Sequence, residues 1–234
     1  MHMGPKGSQG SGSAPILCAL DMAGMAELVD APDSKSGFRK EVGVRFPLPA
    51  PTTSGDKMKF CSSCGGTVSY RVPKDDNRER AICDSCDLVH YRNPLVVVGC
   101  IAERDGKVLL CKRAIEPRYG YWTVPAGFME LGETVAGGAA RETLEEALAT
   151  VELGHLFAMV DVVDAGQVHL FYTGKLVGDY GVGEETLESA LFSEDEIPWE
   201  EIAFHSGKYA LEKYFQDGGR DNGVHVHELR RSTS

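Results

Sequence analysis

The stretch Gly127–Ala149, GFMELGETVAGGAARETLEEALA, sets the strictest condition on what this chain can fold into. Read as a helix over its second half, it places Glu142, Glu145 and Glu146 at i, i+3 and i+4, on one face. Like charges at that spacing cost a few tenths of a kcal/mol per pair, and no Lys follows at i+4 to offset them. Three hard oxygen donors on one rigid element suit Mg²⁺ or Mn²⁺, with water and phosphate oxygens completing an octahedron. A solvated acidic face is the competing explanation for these three residues taken alone.

The pattern extends beyond them. Gly127, Glu133, Arg141, Glu142, Glu145 and Glu146 stand in the order G-x5-E-x7-R-E-x2-E-E. This resembles the Nudix box, the loop-helix-loop of Nudix hydrolases, which cleave a nucleoside diphosphate linked to another group. The resemblance implies Glu142, Glu145 and Glu146 as ligands of catalytic Mg²⁺ (or Mn²⁺), with the backbone carbonyl of Ala126 as another ligand. It implies Arg141 and Glu133 as the pair that holds loop and helix together. Two positions depart from the pattern: Thr143 replaces an aliphatic residue, and Leu148 replaces a glycine at the helix exit, where φ > 0 is usual.

The remaining chain divides by composition. Residues 1–57 begin with a Gly/Ser-rich leader, and the 25–51 stretch resembles the translation of a bacterial leucine tRNA gene, with VRFP at the T-loop. On that resemblance the natural protein starts at Met58; the other reading is a disordered tail. The apolar run near Ile16 is short and interrupted by Asp21, which suits neither a secretory signal nor a membrane span. A net charge of −11 argues against a nucleic-acid or membrane-surface partner for the whole chain and fits a small-molecule enzyme; the expected location is cytoplasmic.

Residues 58–93 read as a Cys₄ zinc ribbon. Cys61-x2-Cys64 and Cys83-x2-Cys86 are two knuckles separated by an 18-residue spacer. Structural Zn²⁺ bound there would supply folding energy that so small a unit cannot draw from its own core. Between Lys57 and Leu95 stand seven Lys/Arg and five Asp/Glu, so four thiolates and one Zn²⁺ leave the ribbon near neutral, a weak footprint for nucleic acid. Cys100 and Cys111 sit in apolar runs and read as core.

Residues 94–217 read as strands around the acidic helix. Leu95–Ile101 is a continuous apolar strand, Asp105-Gly106 a hairpin turn into Lys107–Cys111, and Trp122–Val124 a third strand leading into the loop. Thr134 reads as the helix N-cap, although Gly137-Gly138 weaken the first turns by about 1 kcal/mol each. Two further strands, 153–163 and 168–176, flank a turn at Asp164–Gln167. An acidic loop at 182–188 precedes a strand at 189–193, and a helix spans about 206–215. Residues 218–234 read as a polar, frayed tail. The class is α/β: a mixed sheet covered on both faces, the Nudix α/β/α sandwich that the box implies, preceded by the small ribbon.

Within the family a general base lies in the box or in a later loop. The later-loop candidates are Glu184, Glu185 and Glu188, with Glu185 slightly favoured and solvated loop acids as the other reading. Arg113 and Arg118 are candidates to grip phosphates and Gly127 lies on the substrate side, while ordinary surface arginines explain the first two equally well. Trp122 reads as core ahead of a base-stacking role. The run Pro117–Glu133, PRYGYWTVPAGFMELGE, resembles ribbon-bearing ADP-ribose or FAD pyrophosphatases, and the SQPWPFPxS array of NADH pyrophosphatases has no counterpart here. The expectation is AMP release from ADP-ribose or FAD by a homodimer. NADH or (d)NTP pyrophosphatase, or a non-catalytic ligand-binding module, are the alternatives.

Overall fold

The run Leu95–Ile101 has no polar face, and from Val97 onward it is buried on both sides. In the computed structural model, which describes residues 57–230, it forms the first part of β4 (Leu95–Arg104). Val98, Cys100 and Ala102 point to one face of the sheet and Ile101 to the other, and none of the four is accessible to water. Asp105 and Gly106, with φ of 54° and 75°, turn the chain into β5 (Lys107–Arg113), the primed-turn geometry that Asp-Gly favours. Leu109 and Cys111 then join the first face, Val108 and Leu110 the second.

The third expected strand is two. β6 (Trp122–Thr123) pairs with β5 and β7 (Ala126–Phe128) with β4, because Pro125 between them has no N–H to continue one ladder. α1 (Val135–Ala147) follows and covers the first face. β8 (Thr150–Val162) and β9 (Gln167–Val177) form the long antiparallel pair, β9 lying parallel to β4. β10 (Thr186–Phe192) pairs with β5, so the strand begins earlier than its sequence suggests and Glu188 lies on it rather than in a loop. α2 (His205–Asp217) covers the second face with Ala210, Leu211 and Tyr214. Trp122 is core, as expected, packed edge-on against Phe192.

The frayed tail is corrected. β11 (His225–Leu229) adds a parallel edge strand along Ala158–Val162, completing a mixed sheet of order β10-β5-β4-β9-β8-β11. Its pattern is inverted for a surface strand: His225 packs on Phe157 and His227 stacks on Tyr209, while Val226 faces water. Polar residues inside and an apolar one outside defeat a reading by alternation. His225 Nε2 is also 2.7 Å from Asp217 Oδ2 at the end of α2, which fixes the return of the chain.

The ribbon is a separate three-stranded antiparallel sheet, β1 (Val68–Arg71), β2 (Arg80–Cys83) and β3 (Val89–His90). The expectations for residues 1–56 lie outside the described residues.

Candidate functional site

Thr134 starts α1 as its composition predicts: the side chain accepts from the Gly137 amide at 3.0 Å. Gly138 is a packing requirement rather than a weakness, since a Cβ there would lie 2.7 Å from Glu133 Oε1 and 2.8 Å from Val98 Cγ2. The helix ends with Leu148 in the left-handed region at φ 48°, where glycine is usual. Its last carbonyls are taken up by a distant loop: the Gly181 amide donates to Ala147 O at 2.6 Å and the Gly183 amide to Glu146 O at 3.0 Å.

Arg141 organises the loop. Nε and Nη2 donate to the two oxygens of Glu133 at 2.9 Å each, Nη2 also to Phe128 O at 3.1 Å, and Nη1 to Glu142 and Glu145 at 2.8 and 3.0 Å. This guanidinium holds the Glu133 carboxyl down to about 2, helped by the Glu130 amide. Glu142 and Glu146 are buried and Glu145 is exposed. Burial pushes Glu146 up to about 8, with the Glu142 charge adding to it and the Ala126 amide, 3.1 Å from Oε2, opposing it. Burial raises Glu142 as well, against the pull of Arg141. Gly127 lies so close that a Cβ would be 2.4 Å from the Glu142 carboxylate, so any side chain there would displace it.

Two buried, mutually repelling carboxylates beside an exposed third are a donor set for a hard divalent cation. Arg141 uses one oxygen of Glu142 and one of Glu145, and Ala126 one of Glu146; the second oxygen of each has no hydrogen bond among the described residues. The donor chemistry suits such an ion, while the ligand oxygens of Glu142, Glu145 and Glu146 do not converge in this structure as the four cysteine sulfurs do. The Ala126 backbone meets Glu146 through its amide, next to the carbonyl that the motif would use.

Glu185 reaches the same field: its charge raises both Glu142 and Glu146. Its carbonyl accepts from the Ala114 amide at 2.8 Å, and Gly183, two residues earlier, is tied to α1. Glu188 instead faces Lys112 at 4.0 Å. Arg113 is nearly buried; desolvation lowers its pKa while Glu146 and Glu185 support the charged form, and its Nε donates to Pro117 O at 2.9 Å. Arg118 lies away from this group, over the Tyr121 ring at 5.3 Å, with φ 68°. Sequence reasoning missed the helix-capping glycines 181 and 183, for which no spacing rule exists.

The second centre is tighter. Among the described residues, Cys61, Cys64, Cys83 and Cys86 are the one group of three or more His, Cys, Asp or Glu whose ligand atoms all lie within 4.8 Å of one another. Sγ pairs stand at 3.4, 3.5 and 3.8 Å. A disulfide requires about 2.05 Å, whereas a tetrahedron of sulfurs about 2.3 Å from a metal has edges of roughly 3.8 Å. The Ser85 and Cys86 amides hold the Cys83 thiol down to about 7, whereas against the pull of the Leu88 amide the crowding Cys83 and Cys64 sulfurs push Cys86 up to about 12. Cys100 and Cys111 are pushed by burial up to about 12 and are inert core thiols.

A family model described as "NUDIX domain" matches residues 92–213, just over half the chain, and one described as "Nudix N-terminal" matches 59–92. A Methanocaldococcus jannaschii protein named ADP-ribose pyrophosphatase is 32% identical over 130 residues, covering 52% of this chain and 76% of that one. A Vibrio atlanticus protein named NAD-capped RNA hydrolase NudC is 36% identical over 91 residues, 38% of this chain and 31% of its own length. This chain thus spans about a third of that relative. The crystal structure of a Nudix hydrolase from Nitrosomonas europaea is 48% identical, with a TM-score of 0.70 over 74% of this chain and 100% of that one.

Proposed function

Because this chain belongs to the Nudix hydrolase family, we propose that it hydrolyses the pyrophosphate bond of a nucleoside diphosphate derivative, ADP-ribose or FAD, and releases AMP. The observation that carries this reading is the pair of buried carboxylates, Glu142 and Glu146, set against the Ala126–Gly127 backbone and braced by Arg141. A pure ligand-binding module has no use for self-repelling buried acids. Mg²⁺ or Mn²⁺, held by Glu142, Glu145, Glu146 and the Ala126 carbonyl, would neutralise the diphosphate oxygens and lower the pKa of the attacking water.

The chain's own groups do the rest. Arg141 and Glu133 keep loop and helix in fixed relation, a preorganisation that costs nothing at the moment of reaction. Glu185, tethered between the end of α1 and β5, takes the proton from the attacking water. Arg113, whose charge Glu146 and Glu185 support, is assigned to grip a phosphate oxygen. The name of the M. jannaschii relative supports ADP-ribose, and the lack of an SQPWPFPxS array weighs against NADH. Zn²⁺ is assigned to the four thiolates as a structural ion. A homodimer working in the cytoplasm fits the reduced cysteines and the family resemblance.

The test is product analysis by chromatography with Mg²⁺ and a panel of ADP-ribose, FAD, NADH and dNTPs. Wild type releases AMP from ADP-ribose or FAD, and Glu146→Gln, folded to the same extent, releases at least ~100-fold less. No turnover of any substrate, with Mn²⁺ also tried, would overturn the enzyme reading.

A further inference from the structure

Each knuckle of the ribbon buries its first cysteine and exposes its second. Cys61 is 4% exposed and Cys83 not at all, whereas Cys64 and Cys86 are exposed. The buried two are also held. Cys83 ends β2 in register with Val68, and its sulfur accepts from the Ser85 and Cys86 amides at 3.4 Å each. The Cys61 sulfur accepts from the Ser63 amide at 3.4 Å, while the Cys61 amide donates to Gly66 O at 2.7 Å.

The two knuckles meet at their outer members. A Cβ on Gly66 would lie 2.6 Å from Ser85 Oγ and 3.3 Å from Cys64 Sγ, so the backbone after Cys64 lies directly against the turn that leads to Cys86. Cys64 Sγ stands 3.5 Å from Cys86 Sγ. Closing that gap to a covalent bond takes a movement of about 1.5 Å. Distance alone does not select this pair, since Cys64 Sγ is also 3.4 Å from Cys83 Sγ; access does. A small oxidant arriving from water meets the Cys64 and Cys86 sulfurs first, while Cys83 stays fixed in its strand.

We propose that Cys64 and Cys86 are the oxidation site of the ribbon: a hydroperoxide joins them as a disulfide between the two knuckles, and the structural Zn²⁺ is released. One exposed thiolate attacks the peroxide, so that an S–O bond forms, the O–O bond breaks and hydroxide leaves. The second thiolate attacks the sulfenic sulfur, so that the S–S bond forms, the S–O bond breaks and a second hydroxide leaves. With H₂O₂, two thiolates and two protons give one disulfide and two waters; the sulfurs lose two electrons and the peroxide gains them. Two of the four donors are then spent, and Cys61 and Cys83 alone do not complete the tetrahedron that a structural Zn²⁺ requires. Neither core cluster of the sheet domain includes a ribbon residue, so the change stays within the ribbon. The inference rests on the zinc assignment and is independent of the substrate reading.

The test treats the zinc-loaded full chain with a molar excess of H₂O₂. A chromogenic chelator follows Zn²⁺, and alkylation with peptide mass spectrometry maps the thiols over time. The expected result is Zn²⁺ release in step with a Cys64–Cys86 crosslink, with Cys61 and Cys83 open to alkylation, Cys100 and Cys111 reduced throughout, and zinc binding recovered after dithiothreitol. Cys86→His keeps a ligand of the kind structural zinc sites use but removes the second exposed thiol. It is expected to hold Zn²⁺ at least ~10-fold longer at the same dose and to accumulate a Cys64 sulfenic acid that dimedone traps. A first crosslink within one knuckle or to Cys83 overturns the inference, as does Zn²⁺ retained by wild type at a dose that oxidises a free-thiol peptide. Zn²⁺ loss from Cys86→His at the wild-type rate overturns it too; where that variant binds no zinc, the wild-type thiol map decides alone.

Discussion

Glu133 and Glu146 are thirteen residues apart on the same loop-helix unit and titrate in opposite directions. Arg141 and a backbone amide hold Glu133 down to about 2, whereas burial beside Glu142 pushes Glu146 from 4.5 up to about 8. A raised carboxylate has a consequence for the metal-free protein. Between pH 4.5 and about 8 the native state keeps a proton on Glu146 that the unfolded chain has released, so stability falls as pH rises through that window and is regained on acidification. The expected size is on the order of a few kcal/mol across the window. Denaturant unfolding in the presence of a chelator at pH 5 and pH 8 measures it. Glu146→Gln, which carries no charge at either pH, is expected to remove most of the fall, and Mg²⁺ to restore wild type at pH 8 by favouring the ionised pair. A metal-free wild type with the same pH profile as Glu146→Gln would contradict the buried placement.

α1 is held at both ends by things its own sequence shows unequally. Thr134 at the start is readable because capping is a local matter of three residues. The end is not, because the groups that satisfy its carbonyls come from residues 181 and 183, more than thirty positions away. The two internal glycines show the same limit: propensity marks Gly138 as a defect, and only the packed neighbours, Glu133 and Val98, show why it is needed. Gly183 joins element to chemistry. A Cβ there would lie 1.9 Å from Glu145 O, against backbone that cannot move aside, so Gly183→Ala must push the 181–185 loop off the helix and carry Glu185 with it. The expected result is a loss of about 1–3 kcal/mol in stability together with a fall in kcat of at least ~10-fold, with KM changed less. Stopped assays and a melting curve on the same preparation check both. Full kcat in a destabilised Gly183→Ala would remove Glu185 from the base role while leaving the cap intact.

At the scale of the whole molecule, the sandwich was legible because β4 and β5 are apolar on both faces and a loop and acidic helix that together carry six fixed positions follow them. β11 was not, since His225 and His227 face inward and Val226 outward, and the contacts of His169 with Gln167 and Ser206 were not, since these residues come from two elements with no common spacing. The ribbon was legible from four cysteines, and its energetics follow from what it lacks. Neither core cluster of the sheet domain includes a ribbon residue, and the ribbon's own buried apolar side chains amount to Ala81 and Ile82 beside two of its cysteines. Three short strands with so little buried area depend on the metal, while the sheet domain does not. Removing the thiolate-bound ion, or replacing Cys61 and Cys64 together by Ser, is therefore expected to abolish amide protection in β1–β3 and leave that of β4, β5, β8 and β9 within a few-fold of wild type. Hydrogen exchange followed by mass spectrometry reads the two regions in one experiment. Loss of protection in the sheet strands as well would mean that the ribbon is part of the same cooperative unit, and that the sheet domain relies on it for more than its own two clusters indicate.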